Sequence, residues 1–359
     1  MIFIFYAPIP CFPGAWLSGS CRPVLHAIVV ARIALPSAAA HCALQPGRTK
    51  GCWLKRMADG QRVEFVRVQD PTVRALKLIR GEIDLLQGDM NPEMFTWLKT
   101  RPDLAVERTD GDALAYLGFN MQDPIVGRRE VREAIACAID RDTILRFLLA
   151  GTAHEGAALL PAPHWASVAA PEVCHYDPQR ARALVTKITQ EMGKPLTISF
   201  KTSKDPLRLR VATVIQDQLQ KVGITLQIQS HDWGTFYADI KAGRVQMFSL
   251  QWVGLKMPDI FRYAFHSSMV PPQGANRGRF VNPEIDRLIE QAESTEDLAT
   301  QAAIYRQIQV KLLNELAYVP LWYQDTVLAR RRELVGYRIA TDGNFDGLSE
   351  ARLVRDLQH

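Results

Sequence analysis

The first 58 residues contain no aspartate or glutamate. Arg22, Arg32, Arg48, Lys50, Lys55 and Arg56 stand there unopposed, while the 37 lysines and arginines that follow face 38 carboxylates. The net charge of +5 therefore belongs to the leader, and a nearly neutral body excludes the broad basic field that nucleic acid requires. No CxxC spacing occurs; Cys11, Cys21, Cys42 and Cys52 fall in the leader, and only Cys137 and Cys174 in the body. A disulfide cluster is one reading of the leader. The other, from its missing carboxylates and lack of periodicity, predicts no folded domain over 1–58. No apolar run reaches the roughly 20 residues that span a bilayer. Ala27 to Ala31, and then Ile33 to Ala40, resemble the apolar part of a secretory signal, broken by Arg32 and Pro36. A wrong start site or a rearranged gene reads equally well.

Enzyme signatures are missing too. There is no nucleophile-elbow GxSxG, no P-loop, no dinucleotide GxGxxG and no HExxH. Asp140 and Asp142 are two apart on a predicted helix, so they face different ways and make a poor carboxylate pair. His154, His164 and His175 are spaced ten and eleven apart in a proline-rich loop, without the close pair on a rigid element that zinc sites use. The expectation is no catalytic residue, no metal and no cofactor.

What is present is a chain of 359 residues with 47% hydrophobic and 23% charged side chains, enough for two domains with their own cores. From Arg62 onward strand and helix signals alternate, as in an α/β protein. Strands are predicted over 63–68, 83–86, 104–108 and 113–119. Helices are predicted from Pro71, capped by Asp70, to Gly81, and over 92–100. The strongest helical stripe runs over 130–150 through Val131, Ile135, Ala138, Ile139, Leu145 and Leu149. Residues 152–176 read as a surface loop and 177–191 as a helix. A strand at 196–200, a helix at 206–222 and a strand at 224–228 form a β-α-β unit, which implies a parallel pair. Helices at 232–242, 282–294 and 297–316 and strands at 245–252, 319–323 and 337–339 complete the pattern.

Open α/β sheets bind ligands just outside the carboxyl ends of their strands. Gln251-Trp252-Val253-Gly254 closes one such strand, with an aromatic ring and a glycine that lets a ligand approach the backbone. A core tryptophan followed by a turn glycine is the alternative reading of the same residues.

Several stretches together resemble a known family. Tyr116-Leu117-Gly118-Phe119-Asn120, Glu130-Val131-Arg132-Glu133-Ala134-Ile135 and Ala138-Ile139-Asp140-Arg141-Asp142 are similar to the bridging segment of peptide-type solute-binding proteins. Tyr176-Asp177-Pro178, Asn282-Pro283-Glu284-Ile285-Asp286, Tyr305-Arg306-Gln307-Ile308-Gln309 and Val319-Pro320-Leu321-Trp322-Tyr323 follow in the family's order. Asp70-Pro71-Thr72 through Gly81-Glu82-Ile83-Asp84 resembles a first-lobe motif. On residues 62–340 the chain is identified as a member of extracellular solute-binding protein family 5, the peptide and nickel type of ABC-transporter binding protein.

The resemblance implies a two-lobed α/β fold of the periplasmic-binding-protein class II type, hinged around a ligand. It divides the chain into a leader at 1–58, a partial first lobe at 59–122 and 319–359, and a second lobe at 123–318. The amino-terminal part of the first lobe is expected to be missing. It implies a monomer that binds a small-molecule or peptide ligand, delivers it to ABC permease subunits, works in the periplasm or outside the cytoplasm, and turns nothing over. Ligand contacts are implied at Tyr116, Asn120, Trp252, Gly254, Leu255, Asp259 and Asn276. Peptide-binding relatives carry an aspartate after the tryptophan-x-glycine, where it pairs with a peptide amine; Leu255 and Lys256 stand here, with Asp259 downstream. Competing readings are a truncated remnant without function and a cytoplasmic ligand sensor. The sensor needs a helix-turn-helix, and none precedes Val63.

Overall fold

The computed structural model describes residues 29–34, 52–56, 62–68, 70–88, 90–168 and 175–354. Contacts divide the chain into two units, 1–109 with 326–359, and 110–325. In the first, β1 (Val29–Ala34), β2 (Cys52–Arg56) and β3 (Arg62–Arg67) precede α1 (Pro71–Ile79), β4 (Leu85–Gln87) and α2 (Pro92–Lys99). The carboxylate of Asp70 accepts the Val73 N–H at 2.9 Å and Asn91 accepts that of Met94 at 2.7 Å, so both helices start on a side-chain cap followed by proline. The strands β1 and β2 lie inside the leader, where composition predicted no fold. Val29, Val30 and Ile33 are β-branched residues, and β1 finds ladder partners on both sides, in β3 and β4, which leader composition does not show. The rest of the leader lies outside the described residues.

The next strand, β5 (Leu104–Phe119), contains the unit boundary and is continuous, where two strands were predicted. Asp110 and Asp112 break its apolar pattern without ending the strand. Then α3 (Arg129–Ala138) stops well short of residue 150. Ile139 is extended, at φ −90° and ψ 113°, and the Asp140 carboxylate accepts the Thr143 N–H at 2.9 Å to start α4 (Arg141–Thr143) and a π-helical turn over Ile144–Leu148. A cap inside a continuous apolar stripe thus ended the predicted helix.

The short β6 (Ala153–Glu155) lies within the predicted loop. It is followed by α5 (Pro178–Met192), β7 (Thr197–Ser203), α6 (Pro206–Gln220), β8 (Thr225–His231), α7 (Trp233–Ala242) and β9 (Met247–Trp252). After them come α8 (Ile260–Phe265), α9 (Pro283–Ser294), α10 (Leu298–Asn314) and β10 (Tyr318–Arg331). The chain closes with β11 (Leu334–Val335) paired to β12 (Arg352–Leu353); Tyr337 to Ile339 are not a strand, and buried Tyr337 instead donates its hydroxyl to Gln87.

In the second unit the strand order is β10-β5-β9-β7-β8, with β6 on the other side of β10. The β7/β8 pair is parallel, as the β-α-β order predicts, and β5/β9 is antiparallel. Side chains alternate along β5: Ala115, Leu117 and Phe119 enter one core with α3, α5 and α6, while Leu114 and Tyr116 enter a second with Phe248, Phe261 and Tyr318. Because Leu114 to Phe119 pair with β9, the ends of the crossing strands belong to this unit, which therefore reaches from 110 to 325. The first unit has its own cores, with Leu86 and Val327 in one and Leu85 and Leu328 in the other.

Candidate functional site

Antiparallel pairing sets Leu114 opposite Trp252 and Tyr116 opposite Leu250. Tyr116 and Trp252 are then diagonal neighbours on one face. Their rings stack with centroids 5.9 Å apart and planes 8° off parallel. Tyr116 also meets Phe248 and Tyr318 edge-on, each at 6.3 Å. Gly118 is next on that face, and a Cβ there would lie 2.3 Å from the Phe248 ring, so the missing side chain is what admits the phenylalanine.

Arg277 arrives from the loop before α9. Its guanidinium lies 4.5 Å from the Trp252 ring centre and 5.5 Å from that of Tyr237. It donates to the hydroxyls of Tyr116 at 3.3 Å and Tyr237 at 3.2 Å. Tyr237 is itself stacked on Trp233 at 5.6 Å. Asn276 holds the loop: its amide donates to the Phe280 carbonyl at 2.7 Å and the His266 carbonyl at 3.2 Å, and its oxygen accepts the Phe280 N–H at 2.9 Å. The space left among Tyr116, Phe248, Trp252, Phe265, Arg277 and Tyr318 is about 20 Å³, room for a water molecule.

The electrostatics of this site are one-sided. Among the described residues, Arg277 has no carboxylate partner, and both its side-chain acceptors are phenols. Burial works against its charge, the phenol oxygens support it, and the net direction of its pKa is upward. Burial pushes the Tyr116 hydroxyl up, so that phenol is neutral at ordinary pH. A planar cation laid on an indole and walled by rings is suited to a carboxylate, which a guanidinium grips with two parallel N–H bonds.

Of the residues named from sequence, Tyr116 and Trp252 form the walls and Asn276 stands behind them, its side chain committed to backbone. Asn120 is elsewhere, bonded to the Gly243 carbonyl at 3.2 Å, where it ties the end of β5 to the approach to β9. Gly254 is exposed with φ +71° and no heavy atom within 4 Å of where a Cβ would stand. Leu255 is 4% exposed and belongs to the apolar core with Phe261 and Tyr305. Asp259 is exposed at the start of α8. Sequence reasoning missed Arg277, Tyr237, Phe248 and Tyr318. Their one signal was an arginine in the glycine-rich run from Gly274 to Gly278. The three loop histidines do not converge: His154 bonds to Asp325, His164 to the Lys256 carbonyl, and His175 is exposed.

Residues 51–269 match the model of the bacterial extracellular solute-binding proteins, family 5 Middle. The chain belongs to that family. It is 25% identical over 277 residues to the dipeptide-binding protein of Escherichia coli K12, an alignment that covers 76% of this chain and 52% of the relative. It is 27% identical to the nickel-binding periplasmic protein of the same bacterium, over 80% of this chain and 57% of that one. The crystal structure of a dipeptide binding protein from Pseudoalteromonas sp. SM9913 in complex with Met-Leu superposes with a TM-score of 0.71. That pair is 26% identical and covers 84% of this chain and 60% of the other. The chain thus spans about half the length of the curated relatives it matches. The family's fold is two-lobed α/β, and in this chain β5 and β10 each run across a boundary between the two units. No helix among the described residues is long and apolar enough to cross a membrane.

Proposed function

We propose that this chain is the substrate-binding component of an ABC importer, working outside the cytoplasm as a monomer and handing a peptide or peptide-like solute to a permease. It binds and releases without turnover. The observation that carries this reading is Arg277, stacked on Trp252 in an aromatic pocket with no carboxylate partner among the described residues. The solute supplies that carboxylate from the half-exposed side of Arg277, since the gap among the rings is itself water-sized. Leu255 fits the same picture, since a core leucine offers nothing to a peptide amine; recognition passes to the acid end. Cys137 is disulfide-bonded, which supports an oxidising compartment.

Calorimetric titration with dipeptides, their carboxyl-terminal amides and their N-acetyl forms tests the reading. Free-acid and acetylated peptides should bind alike, and amides more weakly. Arg277→Gln should cost about 1.5–3 kcal/mol, roughly ten- to a hundredfold in Kd. Failure of every peptide to bind at millimolar concentration would overturn peptide binding itself.

A further inference from the structure

The polar end of the same sheet face has no place in that reading. Asp110 on β5, His154 on β6 and Asp325 on β10 each bring one donor atom to a point where all three lie within 4.8 Å of one another. Strand register is what gathers them. His154 pairs with Tyr323 across β6 and β10, and Asp325, two residues on, returns to the same side. The Asp325 N–H bonds to the Thr152 carbonyl at 3.0 Å, which fixes the strand beside the imidazole. The Tyr323 ring stacks on that imidazole with centroids 5.3 Å apart and sets its plane. His154 Nδ1 lies 2.7 Å from Asp325 Oδ1. Access is graded: the Asp325 side chain is wholly buried, that of His154 is 36% exposed, and Asp110 faces solvent.

An imidazole and two carboxylates held this closely are a donor set for a divalent ion. A divalent cation placed among them carries enough charge to balance both carboxylates. With metal–ligand bonds of about 2.0–2.2 Å, donors on one ion stand roughly 3–4 Å apart, within the observed spread. The nitrogen donor favours a first-row transition ion over calcium or magnesium, which prefer all-oxygen shells. Three protein donors also leave coordination positions for water on the Asp110 side. Tyr116 is six residues from Asp110 along β5, about 20 Å at the strand rise, so this is not the solute pocket.

We propose that Asp110, His154 and Asp325 form a binding site for a divalent transition ion of the zinc class, which ties β5, β6 and β10 together. The test uses the full, untagged chain with its free thiols alkylated, so that leader cysteines do not contribute. Titration with Zn²⁺ should show one site of micromolar Kd and raise the unfolding midpoint by about 5 °C at saturation, and Co²⁺ should give a visible absorption band. His154→Gln and Asp110→Asn should each weaken Zn²⁺ at least tenfold and remove the cobalt band. Asp110→Asn is the sharper variant, because Asp110 is exposed and a plain His154–Asp325 ion pair does not depend on it. Absent zinc binding would overturn the proposal and leave a plain His154–Asp325 pair, and binding equally strong in both variants would overturn it as adventitious metal elsewhere.

Discussion

Two ends of one sheet face in the second unit carry opposite charge arrangements. At one, Arg277 is a cation whose side-chain acceptors are phenols; at the other, two carboxylates and one imidazole lie within 4.8 Å of one another. The aromatic end takes its geometry from packing. Tyr116 is a buried ring packed edge-on against the buried rings of Phe248 and Tyr318, and Arg277 donates to its hydroxyl. The polar end takes its geometry from backbone register, since β6, β10 and β5 set the donors side by side whatever the side chains contribute. The comparison teaches that a site built by packing is bound up with stability more tightly than a site built by register.

The largest expected effect bears on that distinction. Phe248→Ala removes a ring that is 1% exposed and should cost about 3–5 kcal/mol in urea unfolding. His154→Gln, without metal, should cost less, about 1–3 kcal/mol, because Asp325 is buried but the amide that replaces the 36% exposed imidazole can still donate to it. Equal losses in the two variants would erase the difference between the ends. A smaller effect sharpens it: Trp252→Leu keeps apolar bulk but removes the surface under Arg277. Solute binding should weaken about fivefold, near 1 kcal/mol, with Zn²⁺ affinity unchanged. A zinc affinity that moved with it would mean the two ends are coupled. The smallest effect is expected of Tyr116→Phe, which takes one acceptor from Arg277 and, because that bond is 3.3 Å long, should cost about 0.5 kcal/mol of stability. A loss above about 3 kcal/mol, measured by the same unfolding curve, would show that this phenol is what keeps the guanidinium in place.

Helix starts were legible because a cap is local chemistry. Asp177 accepts the N–H groups of Gln179 and Arg180, Asp232 that of Thr235, Asn282 those of Glu284 and Ile285, and Asp297 that of Thr300. Each was read from an Asp or Asn in front of a periodic run. The same chemistry explains the error over 130–150. Asp140 lies within an apolar stripe that counts as helical on both sides of it, and only the observed backbone shows it acting as a cap. Strand lengths were poorly legible: β10 runs over fourteen residues, yet only 319–323 has a strand-like pattern, because a ladder tolerates the polar Gln324 and Asp325 wherever a partner strand is present.

The candidate site divides in the same way. Tyr116 and Trp252 were found by position, at strands of an open α/β sheet and within family motifs. Arg277 was not found, being 161 residues from the tyrosine to which it donates. By itself the sequence determined the α/β class, the helix caps, the parallel β7/β8 unit and the family, since each depends on neighbours a few residues apart or on motifs kept in order. Only the tertiary structure decided that Leu255 is core, that Asn276 serves its own loop, that Arg277 meets Trp252, and that His154 stands with Asp325 and Asp110. Those outcomes depend on which strands pair and in which register, and that choice is made by burying apolar faces across the whole unit.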